Sequence, residues 1–256
     1  MRLYWATLAA AMVFAVPANA TDAHAVLATP RQNVEKADFR ASGHLARVEA
    51  SGVRNNYGIS IKGHWFTGVL RVLLEITPPQ NLSAVARVHI LLEMRPNGQN
   101  SILIAHPGDK APSPLAFDKW SDGPLGDGFS YEDFLEQQYF WPGQTLLDKT
   151  KLGARECDLL RSAPGPGDKT HYTEVKTWLD QSIGFPVYVE KTLKGTGVVK
   201  EFTYFGLHHD GGVWSASQVE EKTRGRGGST LLIIDRGSAK ANLDLRDFSP
   251  EQLTRF

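Results

Sequence analysis

The sequence predicts a mainly β protein of the α+β class, built on a single large antiparallel sheet with few helices. Over most of the chain, apolar and polar residues alternate with a period of two, as in strands with one buried face. The runs are joined by short links rich in Gly, Pro, Asn and Asp, which typically connect antiparallel neighbours. The 256 residues are enough for one large domain, and a sheet of this size must close or curl.

The composition is that of an ordinary globular protein. Charged residues make up 22% and hydrophobic residues 41%, which excludes a mostly disordered chain. Lys plus Arg and Asp plus Glu both number 28, and this zero formal charge argues against a polybasic nucleic-acid binder. The single cysteine, Cys157, excludes an intrachain disulfide and a multi-cysteine metal site, and we expect it to be buried and inert.

The N-terminus has the form of a secretory signal peptide. Arg2 precedes an apolar run at residues 3–16, and Pro17-Ala18-Asn19-Ala20 then supplies a helix breaker and a small-residue cleavage site. We expect residues 1–20 to be a signal peptide, cleaved near Ala20, and residues 21–256 to form one domain. The alternative is an uncut membrane anchor, although the run is short for a span. We therefore expect a free protein in the periplasm.

The first half of the mature chain predicts one short helix and several strands. Residues 21–38 are polar with a weak helical period, which predicts the helix. From Phe39 onward the period is two, and Arg95-Pro96-Asn97-Gly98 is typical of a hairpin turn. The clearest predicted strands of this half lie at residues 59–62, 65–76, 85–94 and 101–105.

The middle of the chain predicts a loop and then a helix. Residues 112–128 are rich in Pro, Gly and Asp, which indicates the loop. Ser130 and Asp133 have the spacing of a capping box, and Glu132 adds a second acidic residue at the same end, so a helix should begin here and end before Trp141. The residues that would share one face of this helix are Tyr131, Phe134, Leu135, Gln138 and Tyr139.

The second half predicts a meander of strands. Links such as Gly195-Thr196-Gly197 and His209-Asp210-Gly211-Gly212 have turn chemistry. At the end of the chain, Ser249-Pro250-Glu251-Gln252 predicts a short helix with Ser as the N-cap and Pro in the first position. The predicted strands are residues 154–161, 171–179, 187–193, 198–207, 213–222 and 229–234.

Aromatic side chains are predicted to share faces of these strands. Tyr172 and Trp178 fall on one face of their strand, Phe202 and Tyr204 on one face of theirs, and Trp214 opens the next strand. One interpretation is plain core packing, because aromatic residues dominate cores. The other is that some of them line a cavity for an apolar ligand, as in wide β-barrels.

The sequence offers little for catalysis or for metal binding. His208-His209-Asp210 resembles a metal cluster, but adjacent residues on a strand point to opposite faces and chelate poorly. Glu132-Asp133 and Glu220-Glu221 diverge for the same reason and make poor acid–base pairs. Known catalytic and nucleotide-binding motifs are absent from the sequence. We therefore predict a binding protein without catalytic residues, cofactor or metal.

A short basic turn, Arg224-Gly225-Arg226-Gly227-Gly228, leaves two interpretations open. It is either a solvated loop or a contact for anionic headgroups or a membrane partner.

The ordered motifs resemble the LolA-like family of periplasmic proteins that sort outer-membrane lipoproteins. The most specific segment, residues 125–134, reads L-G-D-G-F-S-Y-E-D-F and is similar to a G-S-D-F-S-Y-E-D-L stretch in one branch of that family. Val175-Lys176-Thr177-Trp178 and Phe185-Pro186-Val187 are similar to a strand and turn of the family, and Asp210-Gly211-Gly212-Val213-Trp214 is similar to its D-G-x-W motif. The family usually has Pro two residues later, where this chain has Ala216.

The resemblance implies a fold and a function. The fold is an open half-barrel made by one curved antiparallel sheet, with a few helices covering its concave face. The function is that of a soluble periplasmic carrier that binds acyl chains of lipoproteins or other lipids in an apolar cavity. A helix from Ser130 to Tyr139 would be the lid. The candidate cavity and lid residues are Phe129, Tyr131, Phe134, Leu135, Tyr172, Trp178, Phe202, Tyr204 and Trp214.

Two other functions stay open. One is a periplasmic sensor or regulator of the same fold, which binds lipid or misplaced lipoprotein and signals to a membrane partner. The other is an extracytoplasmic enzyme with an unrecognised site, because a fold does not exclude catalysis. For the carrier we expect a monomer whose further partners are an inner-membrane transporter and an outer-membrane acceptor.

Overall fold

The computed structural model describes residues 18–79, 87–126 and 128–256. These residues form two α-helices, thirteen strands and several short 3-10 turns. The helices are α1 (Ala18–Glu35) and α2 (Pro250–Leu253). The strands are β1 (Asp38–Val48), β2 (Arg54–Phe66), β3 (Val69–Thr77), β4 (Val88–Met94), β5 (Ser101–Ala105), β6 (Ser113–Pro114), β7 (Gly143–Leu152), β8 (Arg155–Ala163), β9 (Tyr172–Asp180), β10 (Phe185–Leu193), β11 (Val199–Asp210), β12 (Val213–Thr223) and β13 (Ser229–Ser238).

All thirteen strands belong to one antiparallel sheet in the order β6-β5-β4-β3-β2-β1-β13-β12-β11-β10-β9-β8-β7. Consecutive strands pair throughout except β6 and β7, and β1 also pairs with β13, for example Leu45 with Leu232. This one long-range pairing joins the two halves of the chain. Among the described residues β6 and β7 each have one partner strand, so the sheet does not close. The predicted fold class, a single open antiparallel sheet with few helices, is confirmed.

Both faces of the sheet are covered where β3, β4 and β5 lie side by side. Leu74 and Ile90 pack into the larger core on the inner face, which we define as the face that packs against α1. The adjacent Leu73 and Leu91 point the other way and pack under the C-terminal segment, which includes Phe248. Two-sided burial explains why these strands are continuous apolar runs and do not alternate.

One predicted strand is wrong. Residues 65–76 form the end of β2 and most of β3, joined by a tight turn in which Phe66 pairs with Val69. Gly68 occupies the turn with φ of 77°, a conformation that favours glycine. The run looked continuous in sequence because apolar residues flank the turn on both sides.

Strand β7 was not predicted from the sequence. Its middle, Asp148-Lys149-Thr150-Lys151, is polar and largely exposed, so the strand lacks an alternating apolar face. Its register with β8 also shifts between Leu146 and Asp148, which disrupts the alternation further. The six strands predicted in the second half correspond to β8–β13.

The ends of the chain follow the sequence in part. Helix α1 occupies most of the predicted helical region, and α2 begins after Ser249 with Pro250 in its first turn, as predicted. The predicted signal peptide, residues 1–20, lies largely outside the described residues and stays a prediction. Neither described helix is long and apolar enough to cross a bilayer. Cys157 is buried, and burial raises the pKa of its thiol, as expected for an inert cysteine.

The C-terminal segment should stabilise the fold through its outer-face contacts. Phe248 is buried against Phe66, whereas Leu245 in the same segment is 57% exposed. We expect Phe248→Ala to lower the free energy of unfolding in urea by about 3 kcal/mol, because it leaves a cavity. Leu245→Ala is the matched control and should change it by less than about 0.5 kcal/mol. Equal losses in the two variants would contradict this packing.

Candidate functional site

The inner face is covered by α1 and by residues 115–126 and 128–141, which we call the covering segment. Its second half was predicted as a helix from Ser130 to Tyr139, and this prediction is wrong. The segment forms two 3-10 turns, Tyr131–Phe134 and Gln137–Phe140, separated by an extended Leu135. Most side chains from Ser130 to Tyr139 are buried, including those of Glu132, Asp133 and Gln137 on the face opposite the predicted apolar one. Tertiary contacts on all sides therefore outweigh the local preference for a regular helix.

Asp133 is the main anchor of the covering segment. Its carboxylate lies between the ammonium groups of Lys191 and Lys200, at 3.1 Å from Lys191 Nζ. It also accepts from Tyr172 Oη at 2.6 Å and from Ser130 N at 2.8 Å. Burial alone would raise the pKa of the Asp133 carboxyl, but the charges of Lys200 and Lys191 outweigh burial and hold this pKa well below its usual range.

Glu132 forms a second anchor at the start of β9. Its fully buried carboxylate lies 2.9 Å from His171 Nδ1 and accepts from Thr170 Oγ1 at 3.2 Å. His171 also stacks on Phe117, with ring centroids 4.3 Å apart. Neighbouring carboxylates thus diverge, as predicted, and each binds a different part of the sheet. The capping contact of Asp133 with Ser130 is present, although no regular helix follows it.

The structure brings seven of the nine candidate residues together. Phe129 stacks on Phe134 with centroids 5.4 Å apart and contacts Phe202 at 5.7 Å. Tyr204 packs against the same core, and burial with the negative charge of Glu136 raises the pKa of its hydroxyl, so it stays neutral. The residues in or against the larger core are Phe129, Tyr131, Phe134, Leu135, Tyr172, Phe202 and Tyr204.

Trp178 and Trp214 lie elsewhere. Strand β9 pairs Tyr172 with Leu193 but Glu174 with Thr192, so Thr173 is an extra residue that reverses the alternation. The prediction that Tyr172 and Trp178 share one face of their strand is therefore wrong. Trp178 packs on Tyr188, with centroids 5.0 Å apart, on the outer face.

Trp214 packs on His209 at 5.3 Å, near the tip of the β11–β12 hairpin. Its neighbour His208 contacts Ser215. Across residues 18–79, 87–126 and 128–256 no group of three or more His, Cys, Asp and Glu side chains could hold a metal.

Sequence reasoning missed the two buried lysines. Lys191 follows Val189, and Lys200 precedes Phe202, at the period-two positions of the inner face. A charged residue at an otherwise apolar inward position is the signal that could have identified them, because a buried lysine requires a partner. Lys191 Nζ also lies 4.7 Å from the centroid of the Phe202 ring.

Helix α1 is held by different forces. Ala23, Leu27 and Val34 enter the larger core. Arg31 Nε donates to Tyr139 O of the covering segment at 2.7 Å, and its guanidinium lies 6.0 Å from the Phe140 ring centroid. Apolar burial and one charged hydrogen bond therefore close this side of the inner face.

A polar cleft of about 840 Å³ opens beside the covering segment, at the ends of β1 and β11–β13. Its inner wall is formed by Lys200 and Gly128, whose carbonyl accepts from Lys200 Nζ at 2.6 Å. Gly128 has φ of 105°, and a Cβ there would lie 2.2 Å from Thr230 Oγ1, so only glycine allows this close approach. The charged residues that line the cleft are Arg47, Glu49, Asp122, Lys200, Glu221 and Arg226.

A protein-family model described as that of an uncharacterized protein matches residues 93–255, more than half of the chain. The chain belongs to this family. No curated protein matches it significantly.

Solved structures show the same fold. A DUF1329 family protein from Desulfovibrio piger has a TM-score of 0.81 at 13% identity, covering 92% of this chain and 99% of that one. An outer membrane lipoprotein-sorting protein domain, described as putative, from Vibrio parahaemolyticus has a TM-score of 0.78 at 18% identity, covering 91% and 100%. A LolA superfamily protein from Nitrosomonas europaea has a TM-score of 0.61 at 15% identity, covering 88% and 99%. The LolA-like fold inferred from sequence motifs is confirmed.

Asp133 should be essential to stability. We expect Asp133→Asn to lower the free energy of unfolding by about 3 kcal/mol, because two buried lysines lose their shared counter-charge. Asp118→Asn, at an exposed position of the same segment, is the control and should have little effect. Chemical denaturation followed by tryptophan fluorescence gives the free energy of unfolding of both variants. If Asp133→Asn were as stable as the wild type, the anchor role would be contradicted.

The same anchor should depend on pH. The pKa of Asp133 is depressed in the folded state, so its stabilisation is complete above the unfolded value of about 3.9 and is lost as pH falls below it. The stability difference between the wild type and Asp133→Asn should therefore be constant from pH 7 to about 5 and shrink below pH 4. If the stability difference grew on acidification, the depressed pKa of Asp133 would be contradicted.

Proposed function

We propose that this protein is a soluble periplasmic carrier that binds acyl chains of lipoproteins or other lipids between the inner face and α1. The observation that carries the proposal is a large apolar inner face closed on one side by a helix held mainly through apolar contacts. An acyl chain cannot cross water unshielded, because each buried methylene is worth about 0.8 kcal/mol. Such a face can shield it when the helix moves.

In the described structure the inner face is filled by the protein's own side chains, so a ligand must displace something. Displacing the covering segment would separate Asp133 from Lys191 and Lys200, and an acyl chain cannot replace those charges. Displacing α1 replaces the contacts of Leu27 and Val34 with those of an acyl chain, so one set of apolar contacts takes the place of another. We therefore assign the lid role to α1, in place of the predicted helix at residues 130–139.

A displaced lid also allows release. Closing the empty pocket competes with the ligand, so the net affinity is moderate and the cargo can pass to an acceptor. Two proteins of the same fold, an outer membrane lipoprotein-sorting protein domain described as putative and a LolA superfamily protein, support this cargo class. We further propose residues 21–256 as one periplasmic, monomeric domain that receives cargo from an inner-membrane transporter and delivers it to an outer-membrane acceptor.

Mass spectrometry of the protein purified from its own periplasm tests the proposal. We expect a co-purifying lipid or acylated protein. A ligand-free protein tightly bound to one membrane-protein domain would instead favour the sensor or regulator function, and would contradict the carrier.

The lid assignment predicts a gain of affinity. Arg31→Ala removes the hydrogen bond to Tyr139 O, so opening costs less, and we expect a fluorescent fatty-acid probe to bind about fivefold more tightly. Lys36→Ala, exposed just after α1, is the matched control and should bind like the wild type. Equal or weaker binding by Arg31→Ala would show that α1 is not the lid.

A further inference from the structure

The polar cleft differs in chemistry from the apolar inner face beside it. Among the described residues, three cationic side chains, Arg47, Lys200 and Arg226, and three carboxylates line it, so charges of both signs are present in equal number. Its volume of about 840 Å³ lies within the range of small-molecule sites. A balanced set of opposite charges in one cleft suits a ligand that itself carries both signs.

The cleft borders the inner face directly. Lys200 lies in the wall of the cleft. Phe202 lies two residues further along β11, on the same face, and belongs to the larger core. Gly128 lies in the same wall and precedes Phe129, which packs on Phe202. A molecule with its polar end in the cleft would thus have its apolar end beside these aromatic rings.

The basic turn contributes one residue to this cleft. Arg224 is engaged on the outer face by Glu190 and Glu201, at 2.5 and 2.6 Å. Arg226 is exposed and lines the cleft, as does Asp122 in the loop of the covering segment. Arg47, which donates to Leu125 O at 2.6 Å, fixes that loop against β1. The turn is therefore more than a solvated loop, because it places a cation at the cleft mouth.

We infer that this cleft binds a zwitterionic phosphate–ammonium headgroup of a phospholipid whose acyl chains occupy the inner face. The inference rests on the proposed carrier function. Arg226 and Arg47 would face the phosphate, since guanidinium groups match its oxygens, and Glu49 and Asp122 would face the ammonium group. A headgroup with net negative charge would meet the same carboxylates and bind more weakly.

Isothermal titration of the full mature chain with four probes separates the contribution of the headgroup to affinity from that of the acyl chains. The probes are dihexanoyl-phosphatidylethanolamine, dihexanoyl-phosphatidylglycerol, glycerophosphoethanolamine and a neutral monoacylglycerol. We expect the ethanolamine lipid to bind most tightly and the glycerol lipid about fivefold more weakly. Glycerophosphoethanolamine, which lacks the tails, should bind far more weakly than either lipid.

Arg226→Ala tests the cleft, because the side chain is exposed and its removal leaves the buried core unchanged. It should weaken the ethanolamine lipid about five- to tenfold and leave the monoacylglycerol unchanged. Arg236→Ala, exposed on β13 outside the cleft, is the matched control and should affect neither probe.

The outcomes distinguish the two proposals. If Arg226→Ala and Arg236→Ala bind the ethanolamine lipid equally, or if the two lipids bind wild type equally, the cleft inference is overturned. If neither lipid nor monoacylglycerol binds but glycerophosphoethanolamine does, and Arg226→Ala weakens it, the carrier function fails. The cleft then keeps its ligand chemistry with a water-soluble phosphodiester as the source.

Discussion

A buried carboxylate between two buried lysines fixes the arrangement of this protein. Asp133 remains ionised away from water because Lys191 and Lys200 flank it, and its carboxylate is in turn the shared counter-charge of the two buried lysines. The covering segment must therefore lie across β10 and β11 in one position. That position places the aromatic rings beside the segment and the cleft next to it. It also leaves α1 as the cover of the inner face that can move.

The two covers of the inner face differ in the kind of interaction that holds them. The covering segment is held by apolar contacts and also by buried ion pairs, which require specific partners, whereas α1 is held mostly by apolar burial, which another apolar molecule can replace. The C-terminal segment, with Phe248, packs on the outer face of β3–β5 in a separate, smaller core. A stable sheet can in this way keep one exchangeable cover.

The sequence was sufficient for the architecture but not for the site. Alternation and turn chemistry predicted most strands, because both are local and depend on burial of one face. The β2–β3 turn at Gly68 and the extra residue Thr173 were invisible, since apolar residues surround the first and pairing alone reveals the second. The predicted helix at residues 130–139 failed because the partners of its carboxylates, among them Lys191, lie far along the chain.

Hydrogen exchange read by mass spectrometry tests the central claim, that acyl chains enter the inner face by displacing α1. On addition of a short-chain phospholipid, we expect the amides of α1 to exchange faster while those of residues 129–134 keep their protection. Faster exchange in residues 129–134 with α1 unchanged would contradict the account, because the segment anchored through Asp133 would then be the part that moves.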